Sequence, residues 1–314
     1  MALSHRVSPS DRLIAGYNVI LALVWLPLVG AAGYASWIAS AHLAAAGLPW
    51  LLARVPRRPW GVVVVLRDLY PMILAAGFWT EIDVFRRTIG PGNYDHLIAP
   101  LDRAVFGTQL HEIWMPAMDA VWFSETMYFM YCAYYALIVL PLIVVAFRGQ
   151  RAALRDMVFR LMVAYLACYL VFIPFPVDGP HFLYQPHGGP HTQGLMYRLV
   201  SAIQGSGDSL GCAFPSSHVT GAVAIAVSGW RWFSRPVAVL LTIEAMGVVL
   251  STVYTQNHYA IDSLAGVVVG VGLQLVAVPL LYRALGGAPA RMPSPRLPDL
   301  MPVFRRVRPP ESNA

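Results

Sequence analysis

Ser251-Thr-Val-Tyr-Thr-Gln-Asn-His258-Tyr-Ala-Ile-Asp262 places a histidine and a carboxylate one helical turn apart, between two apolar runs. The runs extend from about Val237 to Tyr254 and from Tyr259 to Leu281. Each is close to the roughly 20 residues that cross a bilayer. Ionisable groups at membrane depth are costly and are usually kept for a reason. The stretch therefore predicts a helical membrane protein with a chemical site.

Upstream, Gly211-Cys-Ala-Phe-Pro215-Ser216-Ser217-His218 ends in a second histidine, at the start of an apolar run from His218 to Phe233. The turn Ser234-Arg235-Pro236 joins that run to the next one. A hairpin around this turn returns His218 and His258 to one face of the membrane. Positions i and i+4 share a helix face, which aligns His258 with Asp262.

Composition supports the membrane reading. The chain has 314 residues, 57% hydrophobic and 12% charged, with a mean hydropathy of +0.57. A soluble domain carries about 25% charged residues. The net charge of +6 does not point to nucleic acid. Its arginines sit in short segments between apolar runs and in the tail, the pattern of topology determinants. Cys132, Cys168 and Cys212 show neither a disulfide framework nor metal spacing.

Further spans are expected at Ile14 to Trp37, Gly61 to Thr80, Val121 to Phe147 and Met157 to Pro176. Ala41 to Ala53 reads as interfacial or re-entrant. Arg67 and Asp68, inside the second span, read as an internal ion pair facing the bundle. Phe85 to Ala120 is too polar to span and suits a helix at the interface. Val177 to Ser217 is a long Gly-, Pro- and His-containing loop, and loops of this length are usually functional. Its His181, His187 and His191 read as solvated loop histidines.

The fold class is thus all-α: a polytopic membrane helix bundle of six core spans plus an extra N-terminal one. Three regions are expected. Residues 1–84 form an N-terminal transmembrane region, 85–285 the catalytic membrane domain, and 286–314 a disordered basic tail. Basic segments at Arg54 to Arg58, Arg148 to Arg155, Arg231 to Arg235 and the tail all fit a cytoplasmic side. The segment 85–120, the loop 177–217 and His258 then face the extracytoplasmic or lumenal side. Under this count Arg6 and Arg12 fall on the wrong side.

The residues suggest their chemistry. An aspartate that accepts a hydrogen bond from one ring nitrogen fixes the tautomer of His258 and leaves the other nitrogen free to attack. His218 is placed to protonate a leaving oxygen. Pro215-Ser216-Ser217 starts a helix, and a serine-capped first turn suits an anion such as phosphate.

These motifs resemble those of the type 2 phosphatidic acid phosphatase superfamily, membrane branch. Its Pro-Ser-Gly-His motif is matched by Pro215-Ser216-Ser217-His218. Its Ser-Arg motif, with His and Asp further on, is matched in spacing by Ser251, Thr252, His258 and Asp262, with Thr252 in place of the arginine. The family's first, Lys- and Arg-Pro-containing motif has no match. His258-Tyr259-Ala260-Ile261-Asp262 looks like the inositol phosphorylceramide synthase and sphingomyelin synthase group. So do Tyr94-Asp95, Leu101-Asp102, Phe106-Gly107 and the aromatic run Tyr128 to Tyr135. Phe175-Pro176-Val-Asp-Gly-Pro180 stands where that branch has a Pro-rich segment.

The resemblance implies two-step phosphoryl transfer through a phosphohistidine on His258, with His218 as acid and then base and Asp262 as orienting group. Pro215, Ser216, Ser217 and Thr252 would bind phosphate, with neither metal nor cofactor. Arg86, Arg87, Arg103 and Arg198 are candidates to replace the missing arginine. The substrate implied is a phospholipid or isoprenoid phosphate, met among membrane lipids. The leading expectation is a lipid head-group phosphotransferase. A lipid phosphate phosphatase using water is the alternative. A transporter with a His/Asp proton relay ranks third, because the chain shows no paired halves.

Overall fold

The computed structural model describes residues 7–54, 61–90, 92–207 and 209–287. Arg6, residues 55–60 of the first basic segment and residues 288–314 of the expected disordered tail lie outside them. The helices are α1 (Pro9–Trp25), α2 (Ala35–Leu52), α3 (Val62–Ile89), α4 (Asp95–Phe106), α5 (Leu110–Ala117) and α6 (Val121–Phe147). They continue as α7 (Arg151–Phe172), α8 (Pro180–Leu183), α9 (Leu195–Gly207), α10 (Ser217–Trp232), α11 (Arg235–Tyr254) and α12 (Ala260–Ala284). Among the described residues there is no strand, only an isolated bridge between Val177 and Cys212.

Among the described residues six helical segments are long and apolar enough to cross a membrane: Pro9–Leu28, α2, α3, α6, α11 and α12. The protein is an integral, multi-pass helical bundle. Helices α7 and α10 form its centre. Helix α7 carries Arg151, Arg155, Asp156 and Arg160, yet it is buried along most of its length. It packs against α1, α3, α6 and α10.

Hydrocarbon chains are as apolar as leucine, so membrane helices associate through close packing at small residues. Helix α12 approaches α10 this way. A Cβ on Gly266 would lie 2.9 Å from the Ser216 carbonyl oxygen and from Val219, and one on Gly270 would lie 3.0 Å from Val223. These glycines fix the distance between the helices that carry the two motifs.

Polar bonds define the two ends of the bundle. At one end Asp156 accepts bonds from Arg160 Nε (2.9 Å), Trp232 Nε1 (2.8 Å) and Tyr282 Oη (2.9 Å). At the opposite end Tyr254 Oη donates to Met118 O, Ala213 N to Val177 O and Ser216 N to Asp262 O. The second end gathers the starts of α6, α10 and α12 with the ends of α3, α7 and α11.

The N-terminal region departs from expectation. The run Ile14 to Trp37 is not one span. Pro27, Gly30 and Gly33 interrupt it, and the chain turns back after Leu28, so α1 and α2 are two packed helices. Ala41–Ala53 is accordingly part of a long helix rather than an interfacial piece. His42 on α2 bridges Asn18 Oδ1 (2.9 Å) and Glu81 Oε1 (2.8 Å), tying both helices to α3. The extra helix puts Arg12 at the basic end, where it donates to Leu285 O at 2.7 Å.

The expected Arg67–Asp68 pair is also split. Both side chains are buried, but adjacent helical positions diverge by about 100°, and each finds another partner. Arg67 Nη2 pairs with Asp11 at 2.6 Å, and Asp68 with Arg151 Nε at 2.8 Å.

Candidate active site

Ser216 caps α10, its hydroxyl accepting from Val219 N at 3.3 Å. The same oxygen lies 3.0 Å from His258 Nε2. With the hydroxyl donating across this contact, Nε2 keeps its lone pair and the neutral imidazole carries its proton on Nδ1. Nδ1 lies 3.6 Å from Asp262 Oδ2. That separation is an electrostatic contact and too long for a hydrogen bond.

His258 and Asp262 do not share a helix face as the spacing suggested. His258 lies in the connection before α12, with Asp262 at the third position of that helix. Asp262 Oδ2 accepts from Tyr259 N at 2.9 Å, which caps the helix and holds the carboxylate beneath the imidazole. The connection itself is fixed by Thr252 O, which accepts from both Asn257 N and His258 N at 3.0 Å. Gln256 supplies the reversal with φ of 61°. A non-glycine residue there costs of order 1–3 kcal/mol, strain typical of functional sites.

His218 stands at the first turn of α10. Its ring centre lies 5.9 Å from that of His258 and 4.5 Å from that of Tyr134. Burial, and secondarily the facing His218, pushes His258 down to about 3. The imidazole is therefore neutral in ordinary buffers, the form a nucleophile requires.

The remaining expected residues fall into two groups. Pro215 is buried, after a cis Phe214–Pro215 bond. Ser217 lines an apolar cavity beside His218. Thr252 does not reach the site: its hydroxyl contacts Val249 O (3.1 Å) and Ser263 Oγ (2.9 Å). Its contribution is the carbonyl that holds the His258 turn. Of the four arginine candidates only Arg86 is buried; Arg87, Arg103 and Arg198 are exposed. Arg86 Nη2 lies 3.8 Å from Asp178 Oδ1, and its side chain packs on Gly211. Among the described residues no group of three or more His, Cys, Asp or Glu side chains is arranged to hold a metal.

Two aspartates of α4 hold the surrounding loops. Asp95 accepts from the backbone of Asp178 (2.8 Å) and Gly179 (2.9 Å), and Asp102 from Ile261 N (2.8 Å). Sequence reading placed both in family-like segments but gave them no task. It also missed Trp79, Tyr131 and Asn257, which line one small pocket with His218 and His258. His181 lines it too, and His191 is buried with Nε2 on His187 O (3.0 Å), so neither is a solvated loop histidine.

Three cavities meet here. The pocket that His218 and His258 line is small, about 30 Å³. An apolar cavity of about 400 Å³ between α3, α6 and α7 shares Trp79 and His218 with it. A cavity of about 250 Å³ under the long loop, with mixed polar and apolar walls, shares His181.

Comparison with known proteins gives one match. The family model described as PAP2 superfamily covers residues 97–276, more than half of the chain, including His218, His258 and Asp262. No curated protein and no solved structure matches.

Proposed function

The chain belongs to the PAP2 superfamily, and from that premise we propose that it transfers a phosphoryl head group between lipids through a phosphohistidine on His258. The observation that carries this reading is the position of His218, which lines both the catalytic pocket and the apolar cavity. An acid there faces the oxygen of a lipid seated among the apolar walls. The lipid alcohol is then the group that leaves, and the phosphoryl part stays on the enzyme.

In the first step the Nε2 lone pair of His258 attacks phosphorus, and the bond from phosphorus to the lipid oxygen breaks. His218, protonated in the field of the bound phosphate, gives that oxygen its proton. Asp262 stabilises the positive charge that develops at His258 Nδ1. A second lipid alcohol then enters the apolar cavity. Its hydroxyl attacks phosphorus, His218 takes the proton, and the P–N electron pair returns to Nε2. Ser216 sets the imidazole and yields its place at Nε2 to phosphorus. The basic end of the bundle is the cytoplasmic side under the positive-inside rule, which directs the active site to the extracytoplasmic or lumenal face.

Hydrolysis by the same steps, with water as acceptor, is the second reading. The family match favours it equally. Purified protein given head-group-labelled phosphatidylinositol, with and without ceramide or diacylglycerol, separates the two. Label appearing in a new lipid only when acceptor is present supports transfer. Free head-group phosphate released without any acceptor supports hydrolysis.

A further inference from the structure

A cavity of about 240 Å³ opens at the basic end of the bundle, opposite the end that holds His258. It lies between the starts of α1 and α7 and the end of α12. Ser8, Ser10, Arg155, Asp156 and Tyr282 are among its walls, and Gly287 borders it. None of them belongs to the site around His258.

The start of α1 supplies hydrogen-bond donors. Pro9 opens the helix and has no N–H. Asp11 N donates to Ser8 Oγ at 3.2 Å, and Arg12 N to Ser8 O at 3.1 Å. Ser10 N, between them, has no acceptor among the described residues. The Ser10 side chain is only 8% exposed and lines the cavity, and its hydroxyl has no partner among the described residues either. Buried polar groups are hydrogen-bonded as a rule, so a buried hydroxyl turned into a cavity points to a ligand there. Ser8 Oγ, which accepts from Asp11 N, keeps its own hydrogen to donate.

The surrounding charge is positive. Asp11, in the first turn of α1, is paired with Arg67 Nη2 at 2.6 Å and bonded by Tyr70 Oη at 2.8 Å, so it does not cancel the positive helix end. Arg151 and Arg155 share Asp68, and Arg160 and Arg231 share Asp156, so that four arginines meet two aspartates. Arg155 Nε stays 3.8 Å from Asp68 Oδ1, beyond hydrogen-bond distance, while Arg151 holds the same carboxylate at 2.8 Å. Asp156 is the carboxylate in the wall, and both its oxygens are engaged. Oδ2 accepts from Arg160, Arg231 and Trp232, and Oδ1 from Tyr282. Topology alone asks for arginines at this end, but not for a cavity lined by buried hydroxyls.

We propose that this cavity binds a phosphate-bearing anion, held by Arg155, by the hydroxyls of Ser8 and Ser10 and by Ser10 N in the first turn of α1. Basic pockets between membrane helices take the phosphates of lipid head groups, and inorganic phosphate offers the same oxygens. The bound anion would tie the start of α1 to α7. The site is separate from phosphoryl transfer at His258 and stands or falls without it.

The test is thermal unfolding of the full chain in a non-ionic detergent and a phosphate-free buffer. The probes are dioctanoyl phosphatidylglycerol, inorganic phosphate, and dioctanoylglycerol, which has the same acyl chains and no phosphate. Phosphatidylglycerol at about a hundred times its apparent Kd is expected to raise the unfolding temperature by about 3 °C or more, and dioctanoylglycerol not at all. Arg155→Gln and Ser10→Ala lie on different helices, and each is expected to remove about half of that shift or more. His218→Ala, at the other end of the bundle, is expected to keep it, which separates this cavity from lipid bound near His258. A shift with phosphatidylglycerol alone, reduced in both variants, supports the site and assigns it a lipid head group. An equal shift with inorganic phosphate, reduced in the same variants, supports the site and assigns it a soluble anion. No shift with either phosphate probe, an equal shift with dioctanoylglycerol, or a shift that survives both Arg155→Gln and Ser10→Ala overturns the proposal.

Discussion

Ser216 Oγ lies 3.0 Å from His258 Nε2 and joins two sequence motifs that are 42 residues apart. The same oxygen accepts from Val219 N and so caps α10. One hydroxyl thus holds the imidazole and caps the start of the helix that carries His218. Ser216→Ala is expected to lower kcat about tenfold to a hundredfold and to cost about 1 kcal/mol of stability through the lost cap. Steady-state kinetics and thermal unfolding read the two effects separately. An unchanged kcat in a folded variant contradicts the role of the hydroxyl.

Asp102 acts at one remove, through the backbone of Ile261 at the start of α12. A buried N–H left without a partner costs about 1–3 kcal/mol, and a small displacement of Asp262 and His258 slows the chemistry. Asp102→Ala is expected to lower kcat at least tenfold with little change in KM. Asp102→Asn keeps an accepting oxygen and is expected to restore most of the rate. Equal loss in both variants would show that the carboxylate charge, not the backbone bond, matters.

The apolar cavity gives a chain-length test. Ala76 lines it and is exposed, so a large side chain there fills space without displacing the core. Ala76→Trp is expected to reduce kcat/KM for lipids with long chains at least tenfold relative to short-chain analogues. Parallel losses for both lengths contradict the assignment of this cavity to the lipid arm.

Stability is expected to depend on pH with a definite sign. Burial, with His218 facing it, moves His258 from 6.5 to about 3, and burial near His187 moves His111 from 6.5 to about 4. Between those values and 6.5 the unfolded chain binds protons that the folded chain does not. Stability therefore rises with pH across this window, is fully present above about 6.5, and is lost as pH falls toward 4. The unfolding temperature in detergent is expected to drop from pH 7 to pH 4, less steeply in His111→Phe. A flat profile, or one that rises toward acid, contradicts neutral burial of these rings.

The helical membrane fold was legible because apolar runs of spanning length are a strong, local signal. Where it failed, local chemistry was overruled by partners distant in sequence. Ile14 to Trp37 looks continuous in hydropathy, yet Pro27 and the following glycines turn it back. Arg67 and Asp68 are neighbours in sequence but bind Asp11 and Arg151 from other helices. The paired histidines were legible because the short turn at Ser234 to Pro236 forces both to one end. Trp79, Tyr131 and Asn257 carry no such mark, since an aromatic within a helix or an amide in a loop looks the same in sequence whether it faces lipid, solvent or a pocket. Thr252 illustrates the reverse: spacing drew attention to its side chain, while the structure uses its carbonyl.

The most direct measurement is mass spectrometry of the protein quenched in base within its first turnovers on a phospholipid. Phosphorylation of the His258 side chain, absent from His258→Ala along with all turnover, is the expected result. Turnover retained by His258→Ala, or a wild-type enzyme that turns over lipid without ever carrying phosphate on His258, would contradict phosphoryl transfer through this residue.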